Sequence, residues 1–155
     1  MKKLIFVLPV LSIVFTSFST KQEDLMKWYD WNEGYPLAIK KNKIVLVDAY
    51  TDWCGWCKKM DRDTYANPEV IKRLNKDFIA IKFNPEKQGI IYDVDGQKFS
   101  PAEMYSQLSR GEKTGFPTTY VIITDKKQLF LQAGYMGPET FIEMLDNVLK
   151  ERKNK

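Results

Sequence analysis

Apolar residues in this chain fall into short runs separated by polar turns. Ile44-Val45-Leu46-Val47-Asp48-Ala49-Tyr50 and Phe78-Ile79-Ala80-Ile81-Lys82-Phe83 read as buried strands, each with one charge set inside it. Thr118 to Thr124 is a third, β-branched strand. After the turn Asp125-Lys126-Lys127-Gln128, Leu129 to about Tyr135 is a fourth. Leu25 to Trp31, rich in aromatic residues, is a candidate first strand, and Asn32 to Lys41 a short helix with Pro36 in its first turns. Asn67-Pro68-Glu69 supplies an N-cap, a proline at N1 and an acid in the first turn, and opens a helix to about Asn75. Ser100-Pro101-Ala102-Glu103 is a capping box for a helix to about Arg110. Pro138 opens a last helix with Phe141, Met144, Leu145, Val148 and Leu149 on one face. Between these elements, Ile90-Ile91-Tyr92 and Lys98-Phe99 flank Asp95-Gly96 as a hairpin. The alternation predicts an α/β fold, a central mixed sheet flanked by helices on both faces.

Ahead of these elements lies a different pattern. Met1-Lys2-Lys3 is basic, Leu4 to Phe15 is apolar, and small or polar residues follow from Thr16 to Thr20. This is the layout of a secretory leader, with Ser17 and Ser19 at the −3 and −1 positions of a cut after Ser19. The apolar stretch falls well short of the roughly 20 residues that span a bilayer. Residues 1–19 are therefore expected to be a signal peptide and 20–155 a single exported, periplasmic domain. Loss of Lys2 and Lys3 takes the formal net charge from +4 to +2. Acids and bases are interspersed, so the composition makes no case for nucleic acid.

The chain has two cysteines and no histidine. Both cysteines lie in Asp52-Trp53-Cys54-Gly55-Trp56-Cys57-Lys58-Lys59, where a predicted strand gives way to a predicted helix. That junction puts the first sulfur at a helix N-terminus, where free N–H groups and the positive dipole end stabilise a thiolate. Cys57, one turn on, is placed to attack a mixed disulfide on Cys54. A structural staple is the weaker reading, because closing a loop of about four residues stabilises by only roughly 2 kcal/mol. A zinc site lacks the remaining ligands. Asp93 and Asp95 are two spaced acids, better read as part of a turn than as a calcium site. No metal and no cofactor is expected.

Val45 to Lys58 resembles the active-site segment of thioredoxins. The extension Met60-Asp61-Arg62-Asp63-Thr64-Tyr65-Ala66-Asn67-Pro68-Glu69-Val70 is similar to one branch of that superfamily, the exported thioredoxin-like proteins and the C-terminal domain of DsbD-type disulfide reductases. Thr114-Gly115-Phe116-Pro117-Thr118 resembles the family's cis-proline loop, and Gly134 stands where a groove glycine is expected. The likeness covers most of residues 25–150. It implies a thioredoxin-like fold with a hairpin-plus-helix insert ahead of the cis-proline strand. Trp56 departs from the proline usual between the cysteines, and the stretch from Lys82 to Pro117 is longer than in small thioredoxins. That insert is expected either to wall the groove or to cover the sheet edge.

The resemblance implies Cys54 as nucleophile and Cys57 as resolving thiol, joined as a redox disulfide in one state. Trp53, Trp56, Phe116, Pro117 and Gly134 would form the substrate surface. Pro117 would be cis, against the alternative of a trans proline opening a strand, and a substrate chain would pair beside it as an added strand. Asp48 is unusual on its own account, since an acid among Ile, Val and Leu is expensive to bury ionised and its pKa should rise. The family pattern places it beneath the cysteines with Lys82 as partner; the competing reading has both charges at strand ends facing solvent. With no histidine between the cysteines, a reductase or disulfide-exchange protein is expected, a monomer acting on protein disulfides and drawing electrons from a membrane donor. An oxidase or isomerase, and a non-catalytic binding module, are the alternatives.

Overall fold

The computed structural model describes residues 25–154, so the expected leader lies outside the described residues. Five strands form one sheet in the order β1-β3-β2-β6-β7, where β1 is Trp28–Tyr29, β2 Ile44–Ala49, β3 Phe78–Phe83, β6 Thr118–Ile123 and β7 Gln128–Ala133. The strands β1, β3 and β2 run parallel, and β6 and β7 are antiparallel to their neighbours. A separate hairpin pairs β4 (Tyr92–Val94) with β5 (Gln97–Phe99). The helices are α1 (Trp31–Lys41), α2 (Gly55–Asp63), α3 (Pro68–Asp77), α4 (Pro101–Leu108) and α5 (Pro138–Lys153).

Alternation along the strands divides the core in two. Ile44, Leu46, Phe78, Ala80, Val121 and Ile123 face α2, α3 and α5, whose Met60, Val70, Leu74, Phe141 and Leu145 close over them. Val45, Val47, Ile79, Ile81 and Tyr120 face the other way, toward Trp31 and Ala38 of α1 and Met104 and Leu108 of α4. Burial on both faces is why β2 and β3 read as continuous apolar runs.

Several boundaries differ from expectation, each for a local reason. The first strand is only Trp28–Tyr29, and Trp31 begins α1 instead of ending a strand. Asp30 is the N-cap: its carboxylate accepts from the Glu33 N–H at 2.9 Å, which turns the chain into the helix one residue earlier than the strand reading allowed. The α4 helix stops at Leu108, short of Arg110, because Arg110 adopts a left-handed φ of 54°. β6 ends at Ile123, where Thr124–Lys126 forms a 3-10 turn, and β7 ends at Ala133 as Gly134 turns to φ 90°. Asp95 and Gly96, both at positive φ, make the tight hairpin turn, but Ile90 and Ile91 stay outside its ladder.

Gly34 sits where α1 crosses β3. A Cβ there would lie 2.7 Å from Cγ1 of Ile81 and 3.0 Å from Cβ of Tyr29. Gly34→Ala is therefore expected to destabilise the protein by about 1–3 kcal/mol through overpacking, outweighing the roughly 1 kcal/mol that alanine gains in a helix. The urea midpoint measures it; an unchanged or higher midpoint would show that the crossing has slack.

Candidate active site

The strand register assembles the interior of the site. Because β2 and β3 are parallel and in step, Asp48 lies beside Lys82; because β2 and β6 are antiparallel, Asp48 lies opposite Thr119. All three fall on the last rung but one at the carboxyl end of β2, on the face covered by α2. Asp48 is 1% exposed, and its Oδ2 accepts from Lys82 Nζ at 2.6 Å. The solvent-facing alternative for this pair is thereby excluded. Lys82 Nζ also donates to Asp61, one helical turn beyond Cys57 on α2. Three rings surround the ammonium, with centroids at 4.6 Å for Trp28, 5.1 Å for Tyr50 and 5.2 Å for Tyr65.

Burial dominates the titration of this cluster. It pushes the Asp48 carboxyl above the ordinary range; the Lys82 charge pulls it back only in part, and Asp61 adds to the rise. For Lys82, burial lowers the pKa, but the two carboxylates together outweigh it and the ammonium ends above its usual value. The Tyr65 hydroxyl is pushed well up by burial and then by the Asp48 charge, so it stays protonated. Asp48 Oδ1, the Tyr65 hydroxyl and Thr119 Oγ1 are all buried, and none closes an ordinary hydrogen bond among the described residues. A buried acceptor left open in this way costs about 1–3 kcal/mol and calls for a reason.

The two cysteines lie at the mouth of this interior. Cys54 is the N-cap of α2, and its sulfur accepts from the Cys57 N–H at 3.1 Å. The two are joined by a disulfide and are only 4% and 3% exposed. The flanking indoles of Trp53 and Trp56 stand out instead, at 68% and 60%. Trp53 meets Phe116 edge to face at 6.1 Å, and Trp56 lies 5.6 Å from Tyr135. The Phe116–Pro117 peptide bond is cis, and Gly134 donates its N–H to the Pro117 carbonyl at 2.8 Å. No hydrogen bond engages the Phe116 N–H or C=O among the described residues. The disulfide, an open backbone edge and an exposed aromatic rim thus lie together at one end of the sheet.

Three members of this site, Asp61, Tyr65 and Tyr135, and one residue beside it, Glu86, were not singled out from the sequence. Asp61 carried a usable signal, four residues beyond Cys57 and hence on the same helix face. Tyr65, past the end of α2, and Tyr135, after β7, carried none. Glu86, whose carboxylate oxygens accept from Trp53 Nε1 at 3.0 and 3.2 Å, lies in the insert, where periodicity is silent.

The raised pKa of Asp48 has a consequence for stability. Above the ordinary value of 3.8 the unfolded chain releases this proton before the folded one does, so stability falls with rising pH until the folded carboxyl has ionised too. Asp48→Asn removes that dependence. In urea titrations from acid to neutral pH, the stability of the Asn variant relative to wild type should rise with pH and then level off. A flat difference would mean that the ion pair with Lys82 cancels burial, and a falling one that it outweighs burial.

Comparisons with known proteins agree with this geometry. The chain is 30% identical over 113 residues to human spermatogenesis-associated protein 20, which is 72% of this chain and 13% of that protein. It is 30% identical over 82 residues to the thiol:disulfide interchange protein DsbD of Klebsiella pneumoniae, 53% of this chain and 12% of that protein. The chain thus spans a small part of the curated relatives it matches. A thioredoxin from Thermus thermophilus superposes with a TM-score of 0.64 at 18% identity, covering 83% of this chain and 90% of that one, which shows the thioredoxin-like fold. The Cys54–Cys57 pair thus sits on a thioredoxin-like fold. The family model Thioredox_DsbH, described as "Protein of unknown function, DUF255", matches residues 16–154, and the chain belongs to that family.

Proposed function

We propose that this chain is an exported thiol–disulfide oxidoreductase that reduces or exchanges disulfides in envelope proteins. The observation that carries it is the Cys54–Cys57 disulfide at the start of α2, beside Trp53 and its edge-to-face partner Phe116, with the buried carboxyl of Asp48 on the strand that leads into it. In the reducing direction the Cys54 thiolate attacks a partner's disulfide, forming a mixed disulfide and expelling one partner thiolate. The Cys57 sulfur then attacks Cys54, expels the second partner thiolate and leaves the Cys54–Cys57 bond. Two electrons pass to the partner for each pair oxidised.

Asp48 fits the proton traffic of the second step. A carboxyl with a raised pKa and one open oxygen is suited to take the proton of Cys57 as that thiol becomes a nucleophile. Lys82, held by Asp48 and Asp61, balances the charge left behind. The partner is a polypeptide whose backbone pairs with Phe116 as an added strand, with Trp53, Trp56 and Gly134 lining its path. The protein acts as a monomer without a cofactor.

Direction follows from what surrounds the sulfurs. No histidine lies between the cysteines, so one strong stabiliser of the thiolate is missing, and each 30 mV of potential answers to about 1.4 kcal/mol. A reductase outside the cytoplasm works against an oxidising compartment and must be recharged by a membrane-held dithiol donor. No helix among the described residues is long and apolar enough to cross a membrane.

Insulin reduction driven by dithiothreitol tests the activity. Wild type should accelerate it and Cys54→Ser should not; equal rates in the two would leave only a binding role. Cys57→Ser should accumulate mixed disulfides through Cys54 that dithiothreitol releases. Asp48→Asn should slow resolution of such a mixed disulfide on the order of 10²-fold near neutral pH, with the fold intact by circular dichroism. Unchanged stopped-flow rates would remove Asp48 from the mechanism. A reduction potential at the strongly oxidising end, near −120 mV, would reverse the direction and make the protein an oxidase.

A further inference from the structure

The insert, residues 84–114, is tied to the mouth of the site at both ends. At its start, Asn84 is buried; its Nδ2 donates to Asp52 Oδ1 at 3.4 Å and its Oδ1 accepts from the Glu86 N–H at 2.9 Å. That turn aims the Glu86 carboxylate at the indole N–H of Trp53, the residue directly before Cys54. At its far end, Tyr105 of α4 packs on Phe116 at 5.5 Å. The Tyr105 hydroxyl meets Thr114 Oγ1 at 3.0 Å, and Thr114 in turn meets the Tyr120 hydroxyl at 3.2 Å. The hairpin between is anchored to α1, with Trp31 Nε1 donating to the Asp93 carbonyl and Asn32 bonding Ile91 and Asp93.

Trp53, Phe116 and Tyr105 therefore form a row of rings whose two ends the insert holds. An indole 68% exposed would ordinarily turn among rotamers, yet its one polar atom is fixed by Glu86. Large exposed apolar surface kept rigid beside a reactive centre marks a place where a partner lands.

We infer that the insert is a specificity device: Glu86 and Tyr105 pre-set Trp53 and Phe116 as an apolar wall that favours polypeptides with apolar or aromatic side chains next to the reacting cysteine. This rests on the redox role proposed above. The occupant is an extended polypeptide because the wall continues directly into the open backbone edge of Phe116. A small disulfide such as glutathione disulfide reaches the sulfur without needing that edge or the wall. Glu86 is a positioning residue, acting on the partner only through Trp53.

The test uses the reduced protein with three oxidants: a peptide disulfide with leucine and tryptophan beside its cysteine, the same peptide with serine and glycine there, and glutathione disulfide. Wild type should prefer the apolar peptide. Glu86→Ala should raise KM for that peptide several-fold, up to about tenfold, with kcat unchanged, because the ordering of the indole is then left to the binding step. Glu86→Gln keeps an acceptor for the indole N–H and should retain the preference, and glutathione disulfide should react equally with all three proteins. Equal loss on every oxidant, or no preference in wild type, would overturn the inference. A binding arm separates this from the redox role: a Cys54→Ser/Cys57→Ser protein is titrated calorimetrically with the two peptides carrying serine for cysteine. Tighter binding of the apolar peptide, lost on adding Glu86→Ala, supports the wall even where turnover is absent; equal binding of both peptides sinks it.

Discussion

Burying a carboxyl in the middle of a sheet is the constraint around which this molecule is arranged. Asp48 has lost its water, and the attraction of Lys82 does not make up the loss, so its pKa stays high. Lys82 is itself constrained by a second acid and three rings, and cannot swing out to solvent without abandoning all of them. Well-packed apolar residues on this rung would be as stable or more so, since buried ion pairs seldom outdo hydrophobic replacements. Stability is thus a poor reason for the arrangement. A proton site kept inside, under the helix that carries the cysteines, is a better one.

The same economy of placement governs the rim. Aromatic side chains usually bury their rings, yet here the two indoles beside the cysteines are the most exposed tryptophans described, while the sulfurs between them are covered. Each indole has a partner that limits its motion: Phe116 and Glu86 for Trp53, Tyr135 for Trp56. Tyr135 is fixed in turn from α2, its hydroxyl donating to Asp63 at 3.2 Å and its ring lying 4.9 Å from Lys59 Nζ. The rim is therefore ordered before any partner arrives.

Local signals in the chain are legible where one short segment decides the outcome. The caps at Asn67 and Ser100, the Asp95-Gly96 turn and the strand-to-helix junction at the cysteines depend on residues a few positions apart. The odd placement of Asp48 was also legible, because an acid within an apolar run announces its own cost. Asp30 shows the limit: its carboxylate competes for the chain just where aromatic residues suggest a strand, and the cap prevails. Long-range partners were the harder part. Nothing in Tyr65 shows that its hydroxyl faces Asp48, and nothing in Glu86 points 33 residues back to Trp53. Those contacts exist only once the sheet register and the insert's anchorage to α1 are in place.

The sheet keeps two tasks apart. Asp48, Lys82, Asp61 and Tyr65 lie on the face covered by α2, α3 and α5, where they can govern a proton without touching a partner. Phe116, Tyr105 and the hairpin pack with α1 and α4 against the opposite face. The two groups meet only at the carboxyl edge of β2, where the chain leaves the sheet and delivers Cys54. With most shared contacts confined to that edge, a change on one face should leave the other nearly undisturbed, as expected for sites without common partners. Under the proposed mechanism, the insert can vary what is bound while the interior sets how fast the bound sulfur is released.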